Sequence, residues 1–417
     1  MAGQRPLHVR CLCVTYATPQ RKGHMPLVRS RFTVLLLAGT LVLPPAIRAQ
    51  GTPPVTPAFD FSGVLYANFQ RRTDDAAKAA NGGKASSKFD LERAYLTFRM
   101  PAGERASIRV TTDVFNTADQ TTTSFYRGWA VRIKYAYLQW NFANDINGSK
   151  GFSALARFGV LHTVVVDQIE QYNPRYLAQT DLERNGFFSS ADVGAALLVS
   201  LPKKWGEVYG TITNGPGYTV AENDRYKDFA GRLTVTPFAS GNALGAWSKA
   251  LIVSPWIYAG KTASKFQNGG TGQVGTVPEG LKRNRAGVFV GAKDPRLTVG
   301  IDYGQRTETT EGGDNTVASP RTTTEVTGKV KSAFAIVKPF ALAGTKSSLA
   351  RLGLIARFDD FKPNDSADAH NQFTIFGLYY EPTSKVTFSL DAQQLKPKDG
   401  SATPEAKTLF VHMQALF

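Results

Sequence analysis

Val386-Thr387-Phe388-Ser389-Leu390-Asp391-Ala392-Gln393 alternates apolar and polar side chains at every step. Period two belongs to the β-strand, whose successive side chains point to opposite faces. The pattern recurs along the chain. Upstream, Leu297, Val299, Ile301 and Tyr303 oppose Arg296, Thr298, Asp302 and Arg306. Ala106, Ile108, Val110, Thr112 and Val114 oppose Ser107, Arg109, Thr111 and Asp113, and Phe59, Phe61, Leu65, Ala67 and Phe69 oppose Asp60, Ser62, Asn68 and Gln70. Downstream, Leu409, Val411, Met413, Ala415 and Phe417 share one apolar phase. Alternation sustained over about ten residues is what a strand between lipid and water requires.

About sixteen such segments can be read. They begin near Phe59, Phe89, Arg105, Val131, Ala154, Asp192, Glu207, Lys227, Ala250, Arg283, Arg296, Thr324, Leu349, Gln372, Lys385 and Ala406. The connections alternate long and short. Tight turns fall at Pro101-Ala102-Gly103, Pro202-Lys203-Lys204, Asp294-Pro295 and Glu381-Pro382-Thr383. Polar loops fall at 72–88, 116–129, 262–280, 309–320 and 361–371. Long loops on one rim and short turns on the other mark a membrane barrel with outer loops and periplasmic turns. The expected fold is all-β: a transmembrane, antiparallel, up-and-down barrel over 59–417. Tyr95, Trp140, Phe142, Trp205, Tyr379 and Tyr380 are expected to form interfacial girdles.

The N-terminus reads as an address. Phe32–Leu43 is apolar but too short to span a bilayer as a helix. Arg29 and Arg31 precede it, and Pro44-Pro45 and Ile47-Arg48-Ala49 follow, as in a cleaved secretory signal peptide. Met25 is the expected start, with 1–24 an upstream extension and 50–58 an extended lead-in. The formal net charge is +16, but residues 1–49 carry seven basic and no acidic residues, leaving a net of +9. These charges are scattered rather than grouped, so nucleic acid is not an expected partner. Both cysteines, Cys11 and Cys13, lie before Ala49, as suits passage through an oxidising periplasm.

An arginine or lysine facing lipid at midplane costs about 2–4 kcal/mol, so strand charges are expected to face the lumen. Candidates are Arg93, Arg99, Arg109, Arg157, Arg232, Arg285, Lys329, Lys331, Arg351 and Arg357. Asp113, Asp302, Glu325, Asp359 and Asp391 are placed on the same phase. Two readings stand: a field favouring anions, or a lattice of ion pairs that stiffens the wall. The segment His162–Asp192 is too long for a plain connection. It is expected to fold inward as a constriction, with Arg175 and Arg184 facing Asp167, Glu170 and Glu183, and with Asp181 beside them. The alternative is an outer loop.

No metal-ligand spacing, phosphate loop, nucleophile elbow or cofactor motif is present, so neither cofactor, metal nor enzyme activity is expected. The one arrangement open to a lipase-like rival is His412 with Ser389 on the neighbouring strand. A plugged structural or adhesive barrel is the other rival.

Several short motifs stand in a recognisable order: Phe89-Asp90-Leu91-Glu92-Arg93-Ala94-Tyr95-Leu96, Tyr135-Ala136-Tyr137-Leu138, Arg157-Phe158-Gly159-Val160-Leu161, Leu182-Glu183-Arg184, Val208-Tyr209-Gly210, Thr213-Asn214-Gly215 and Asp228-Phe229-Ala230-Gly231-Arg232. Their order resembles the phosphate-selective porin O and P family across most of the chain. The phase Val411, Met413, Ala415 and Phe417 resembles the C-terminal assembly signal of bacterial outer-membrane proteins. The resemblance implies a sixteen-stranded porin, a homotrimer, passing small hydrophilic solutes. It also implies outer-membrane lipid and lipopolysaccharide as surroundings, and periplasmic chaperones and barrel-assembly machinery as partners in biogenesis. The acidic content of His162–Asp192 departs from a phosphate-capturing constriction, so that selectivity is not carried over.

Overall fold

The computed structural model describes residues 59–116, 128–144, 151–222, 224–239, 246–266 and 280–417. The expected signal peptide and lead-in, within 1–58, lie outside the described residues. The strands are β1 (Asp60–Arg72), β2 (Ser86–Pro101), β3 (Ala106–Asn116), β4 (Trp129–Asn144), β5 (Ser153–His162), β6 (Ala191–Ser200), β7 (Gly206–Thr213), β8 (Asp228–Val235), β9 (Ile252–Thr262), β10 (Leu281–Asp294), β11 (Leu297–Gly312), β12 (Thr322–Val337), β13 (Leu352–Lys362), β14 (His370–Thr383), β15 (Val386–Lys398) and β16 (Ala406–Leu416). Each pairs antiparallel with its sequence neighbours, and β1 pairs with β16 to close the barrel. Gly63 and Phe417 exchange backbone hydrogen bonds of 2.8 and 3.0 Å at that seam. Closure leaves no unpaired sheet edge, as lipid demands.

Side-chain exposure sorts the two faces. Phe89, Val131, Phe158, Ile257, Ile301 and Phe376 are among the most exposed apolar residues of the chain, and all fall on the outward phase. Such a belt suits hydrocarbon and no aqueous surface. Phe59, Phe61, Trp140, Phe142 and Trp205 stand exposed near the turn rim, and Phe61 packs on Phe98 and Phe417 at 5.1 and 5.9 Å. Tyr380 shares the outward phase. Tyr95 and Tyr379, expected in the girdles, instead point inward and are buried. Val411, Met413, Ala415 and Phe417 lie on the outward face, in register with Leu390, Phe388 and Val386.

The rims are asymmetric, with two departures. The turn rim includes short links at 102–105, 201–205, 295–296 and 384–385. Its connections 236–251 and 338–351 are longer, and the latter holds a helical turn at Pro339–Leu342. Three strands carry extra residues relative to a partner: Glu92 on β2, Lys134 and Phe142 on β4, and one residue between Tyr380 and Thr383 on β14. Each bulge reverses the phase beyond it.

Candidate functional site

Residues 163–190 leave β5 and return to β6 through the lumen. Their composition explains the path. Val164, Val165, Val166, Ile169, Tyr176, Leu177, Leu182, Phe187 and Phe188 are all buried, and each such burial is worth about 1.5–3 kcal/mol. Val164–Ile169 and Leu182–Phe188 pack on wall rings that include Tyr209, Trp256, Phe289 and Phe334. Tyr176 and Leu177 pack in a second cluster with Tyr66, Tyr95, Ile355, Phe373 and Ile375. One segment therefore touches nearly the whole circumference. Two short helices shape it: α1 (Val166–Glu170) and α2 (Asp181–Arg184). Thr180 caps α2, its Oγ1 accepting from the Glu183 amide at 3.2 Å. Gly304 on β11 leaves room for α2, since a Cβ there would meet Leu182 at 2.8 Å.

Wall side chains then take the segment's own carbonyls, which lumen burial would otherwise leave unpaired. Lys293 donates to Gln171 O (2.6 Å), Gln393 to Leu177 O (2.8 Å), Arg357 to Gln179 O (2.8 Å) and Arg306 to Asn185 O (3.0 Å). Arg232 and Arg285 donate to the carbonyls of Val164 and Phe187.

Arg175 faces Glu170 and Glu183 as expected, but Arg184 and Asp167 find partners elsewhere. Arg175 donates to Glu170 (2.7 Å) and also to Glu183, so this trio neutralises itself within the segment. Arg184 reaches the wall, donating to Asp359 at 2.6 Å. Asp359 is fully buried and also accepts two bonds from Arg357 (2.9 and 2.8 Å) and one from Ser332 (2.6 Å). Asp167 accepts from His162 at 3.0 Å. Arg109 donates to the other ring nitrogen of His162 (3.1 Å), which assigns the imidazole proton to Nδ1.

Asp181 and the wall residue Asp302 form an unusual contact. Both are buried, and three of their four carboxylate oxygens (Asp181 Oδ2 and both of Asp302) meet no donor. Burial, then the charge of Asp359, pushes the Asp181 carboxyl up from 3.8 to about 6. A raised folded-state value means that protonation favours docking: the contribution is complete below about pH 4 and is lost as pH rises through about 6. Single-channel current is expected to be quiet at pH 5 and to flicker at pH 8. Asp181→Asn, which supplies a donor without charge, should be quiet at both; recordings that do not change with pH would refute the linkage.

Of the expected lumen residues, Arg93, Arg109, Arg157, Arg232, Arg285 and Arg357 do face inward. Arg93 pairs with Asp113 (2.7 Å), Arg232 with Glu207, and Arg285 with Glu308 (2.6 Å). Arg99 faces inward near the turn rim, on Asp60 at 3.1 Å. Four placements are corrected. Lys329 and Lys331 lie on the outward phase, because Val330, Ser332, Phe334 and Ile336 hold the inner one against the segment. Glu325 lies outward with them and pairs with Lys282 at 2.9 Å. Arg351 sits in the turn after Ser347, off the wall, and donates to Pro382 O. Reading by phase also missed Arg132 and Lys134, because the bulge at Lys134 brings both inward; Arg283 and Arg306 were passed over as well.

Arg132 donates to Asp113 at 2.9 Å. Lys134 donates to Tyr95 Oη (3.1 Å) and Arg157 to Gln139 (3.0 Å). Arg109 stacks on Tyr135, 4.8 Å from its ring centre. Among the described residues, Arg109, Lys134 and Arg157 have no carboxylate in ion-pair contact. Openings of about 300, 500 and 610 Å³ lie beside the segment. One of about 300 Å³ is lined by Arg157, Asp167, Gln168, Glu207, Tyr209 and Arg232. One of about 610 Å³ is bounded by Tyr66, Glu170, Arg175, Lys293, Tyr379 and Glu381.

The lipase-like arrangement does not assemble. Ser389 and His412 are opposite in register, but Ser389 donates to Asp391 at 2.8 Å, while His412 Nε2 lies 3.6 Å from the same carboxylate. A nucleophile needs its hydroxyl on the histidine. Among the described residues no group of three or more metal-ligating side chains is placed to hold an ion.

No protein-family model matches the chain, and no curated protein matches it. Solved structures do. An anion-selective porin from Comamonas acidovorans superposes with a TM-score of 0.57 at 10% identity, covering 86% of this chain and 99% of that one. Salmonella typhi OmpF in complex with daunomycin gives 0.55 at 11%, covering 87% and 98%. The outer membrane channel DcaP of Acinetobacter baumannii gives 0.55 at 12%, covering 86% and 97%. The fold of this chain is that of the outer-membrane porins, a closed barrel of sixteen antiparallel strands.

Proposed function

We propose that the barrel is an outer-membrane channel for passive diffusion of small hydrophilic solutes, with the inward segment as its constriction and a preference for anions. The observation that carries the preference is the basic group Arg109, Lys134 and Arg157, on adjacent strands β3, β4 and β5, none of it in ion-pair contact with a carboxylate among the described residues. Unmatched positive charge in a narrow low-dielectric passage raises the local concentration of anions. Arg93, Arg132, Arg184, Arg232, Arg285 and Arg357 contribute less, because Asp113, Glu207, Glu308 and Asp359 hold them. The ordered motifs support membership of the phosphate-selective porin O and P family and a homotrimer. Phosphate capture is not part of the reading, since the constriction carries Asp167, Glu170, Asp181 and Glu183 against Arg175 and Arg184. The long-loop rim is read as the outer one, reached after export through a cleaved signal peptide. The lumen is read as a passage and not as an enzyme site.

The test is the reversal potential of single channels in a KCl gradient. Wild type is expected to reverse on the chloride side. Arg109→Gln with Arg157→Gln should move the reversal potential to or past zero while leaving step-like openings. A potassium preference in wild type would discard anion selectivity and keep the channel. Folded protein without current steps would discard the channel itself.

A further inference from the structure

The outward lysines have a use that the lumen does not explain. One register row runs Tyr303, Lys331, Asp360, Gln372 and Lys396 across β11 to β15. Lys329 and Lys362 oppose each other one step nearer the long-loop rim. One step toward the turn rim the same face carries Ile301, Ala333 and Phe358. The membrane-facing surface thus changes from apolar to charged within a single step.

The charges in these rows are not balanced. Asp365 takes Lys329 at 2.6 Å, and Asp360 lies 3.6 Å from His370. Among the described residues, Lys331, Lys362 and Lys396 have no carboxylate in ion-pair contact. An outward lysine is costly at the bilayer midplane and cheap at the interface. Three of them at one boundary, beside a tyrosine of interfacial character, mark the headgroup level of the loop-side leaflet. Lys331 and Lys362 stand on adjacent strands and Lys396 two strands further on, so at about 4.8 Å per strand the row spans about 14 Å, a width that long lysine side chains can close around one headgroup bearing two phosphates.

We propose that Lys331, Lys362 and Lys396 form a binding site for the phosphates of an outer-leaflet glycolipid. Its acyl chains would lie over Phe358, Phe376 and Leu378, all exposed on the same face below the lysines. That apolar floor selects a lipid over free phosphate. The site rests on the outer-membrane reading but lies outside the lumen, so conductance and lipid binding fail separately.

The experiment titrates detergent-folded barrel with bisphosphorylated lipid A, with its phosphate-free counterpart and with inorganic phosphate, following bound mass by native mass spectrometry. Folding is checked by heat-dependent gel migration. Wild type is expected to retain the bisphosphorylated lipid. The triple variant Lys331→Gln, Lys362→Gln, Lys396→Gln should bind it roughly tenfold to a hundredfold more weakly, with unchanged conductance. The corresponding triple arginine variant should retain binding, which separates lost charge from lost fold. Equal binding by the glutamine variant, or equal binding of the phosphate-free lipid, would overturn the proposal. So would competition by inorganic phosphate as strong as that by the lipid. A lipid-free oligomer present in wild type and lost in the glutamine variant would assign the row to a second copy of the chain, and would overturn it too.

Discussion

Excising residues 165–188 and bridging the ends with a short flexible linker should raise single-channel conductance about threefold or more, because a sixteen-stranded barrel without an inward segment encloses a wide aqueous lumen. The openings beside the segment measure only about 300, 500 and 610 Å³. The segment touches wall side chains from β1 round to β15, so its removal opens the cross-section and not just one edge. The cost is the wetting of Trp256, Phe289, Val330 and Phe334, now buried against it. The barrel's backbone ladder does not depend on these contacts, and heat-dependent migration will report whether it forms. A milder variant, Tyr176→Ala with Leu177→Ala, loosens the second cluster alone and should raise conductance by a smaller amount. Unchanged conductance in the folded excision variant would show that the segment is not the narrowest point.

The strand count and most of the barrel phase were legible because lipid imposes a rule on one face. β1, β3, β11, β15 and β16 obey it, and their lipid-facing residues were read correctly. β12 defeated the reading for a physical reason. Its inner face packs against the inward segment, so Val330, Phe334 and Ile336 are more apolar than the outward Lys329, Lys331 and Ala333. Phase assigned by hydropathy alone then inverts. A different failure hid Lys134 and Arg132: one extra residue on β4 flips the alternation, and nothing local in the sequence announces it. The inward segment was legible from length, since a plain connection needs no such stretch. Of its charge pairing, Arg175 with Glu170 and Glu183 was legible, but the partner of Arg184 was not, because it lies far along the chain on β13.

That last contact decides between the two readings of the wall charges. Asp359→Ala would strip Arg357 and Arg184 of their shared carboxylate and leave Ser332 without its acceptor. Removing one partner of a buried pair typically costs about 3–5 kcal/mol, because the remaining charge stays desolvated. Much of that cost falls on the docking of α2, which Arg184 ties to β13 and which Arg357 supports through the Gln179 carbonyl. If the pair serves the constriction, α2 should leave the wall. Residues 171–190 then become cleavable by added protease, and conductance rises toward that of the excision variant. If the pair is only part of a stiffening lattice, the barrel should melt at lower temperature with conductance and protease resistance unchanged. Asp359→Asn keeps one acceptor oxygen and removes the charge, so it should fall between wild type and alanine in both measurements. An asparagine variant as labile as alanine would assign the effect to charge, and one as resistant as wild type would assign it to the hydrogen bonds alone.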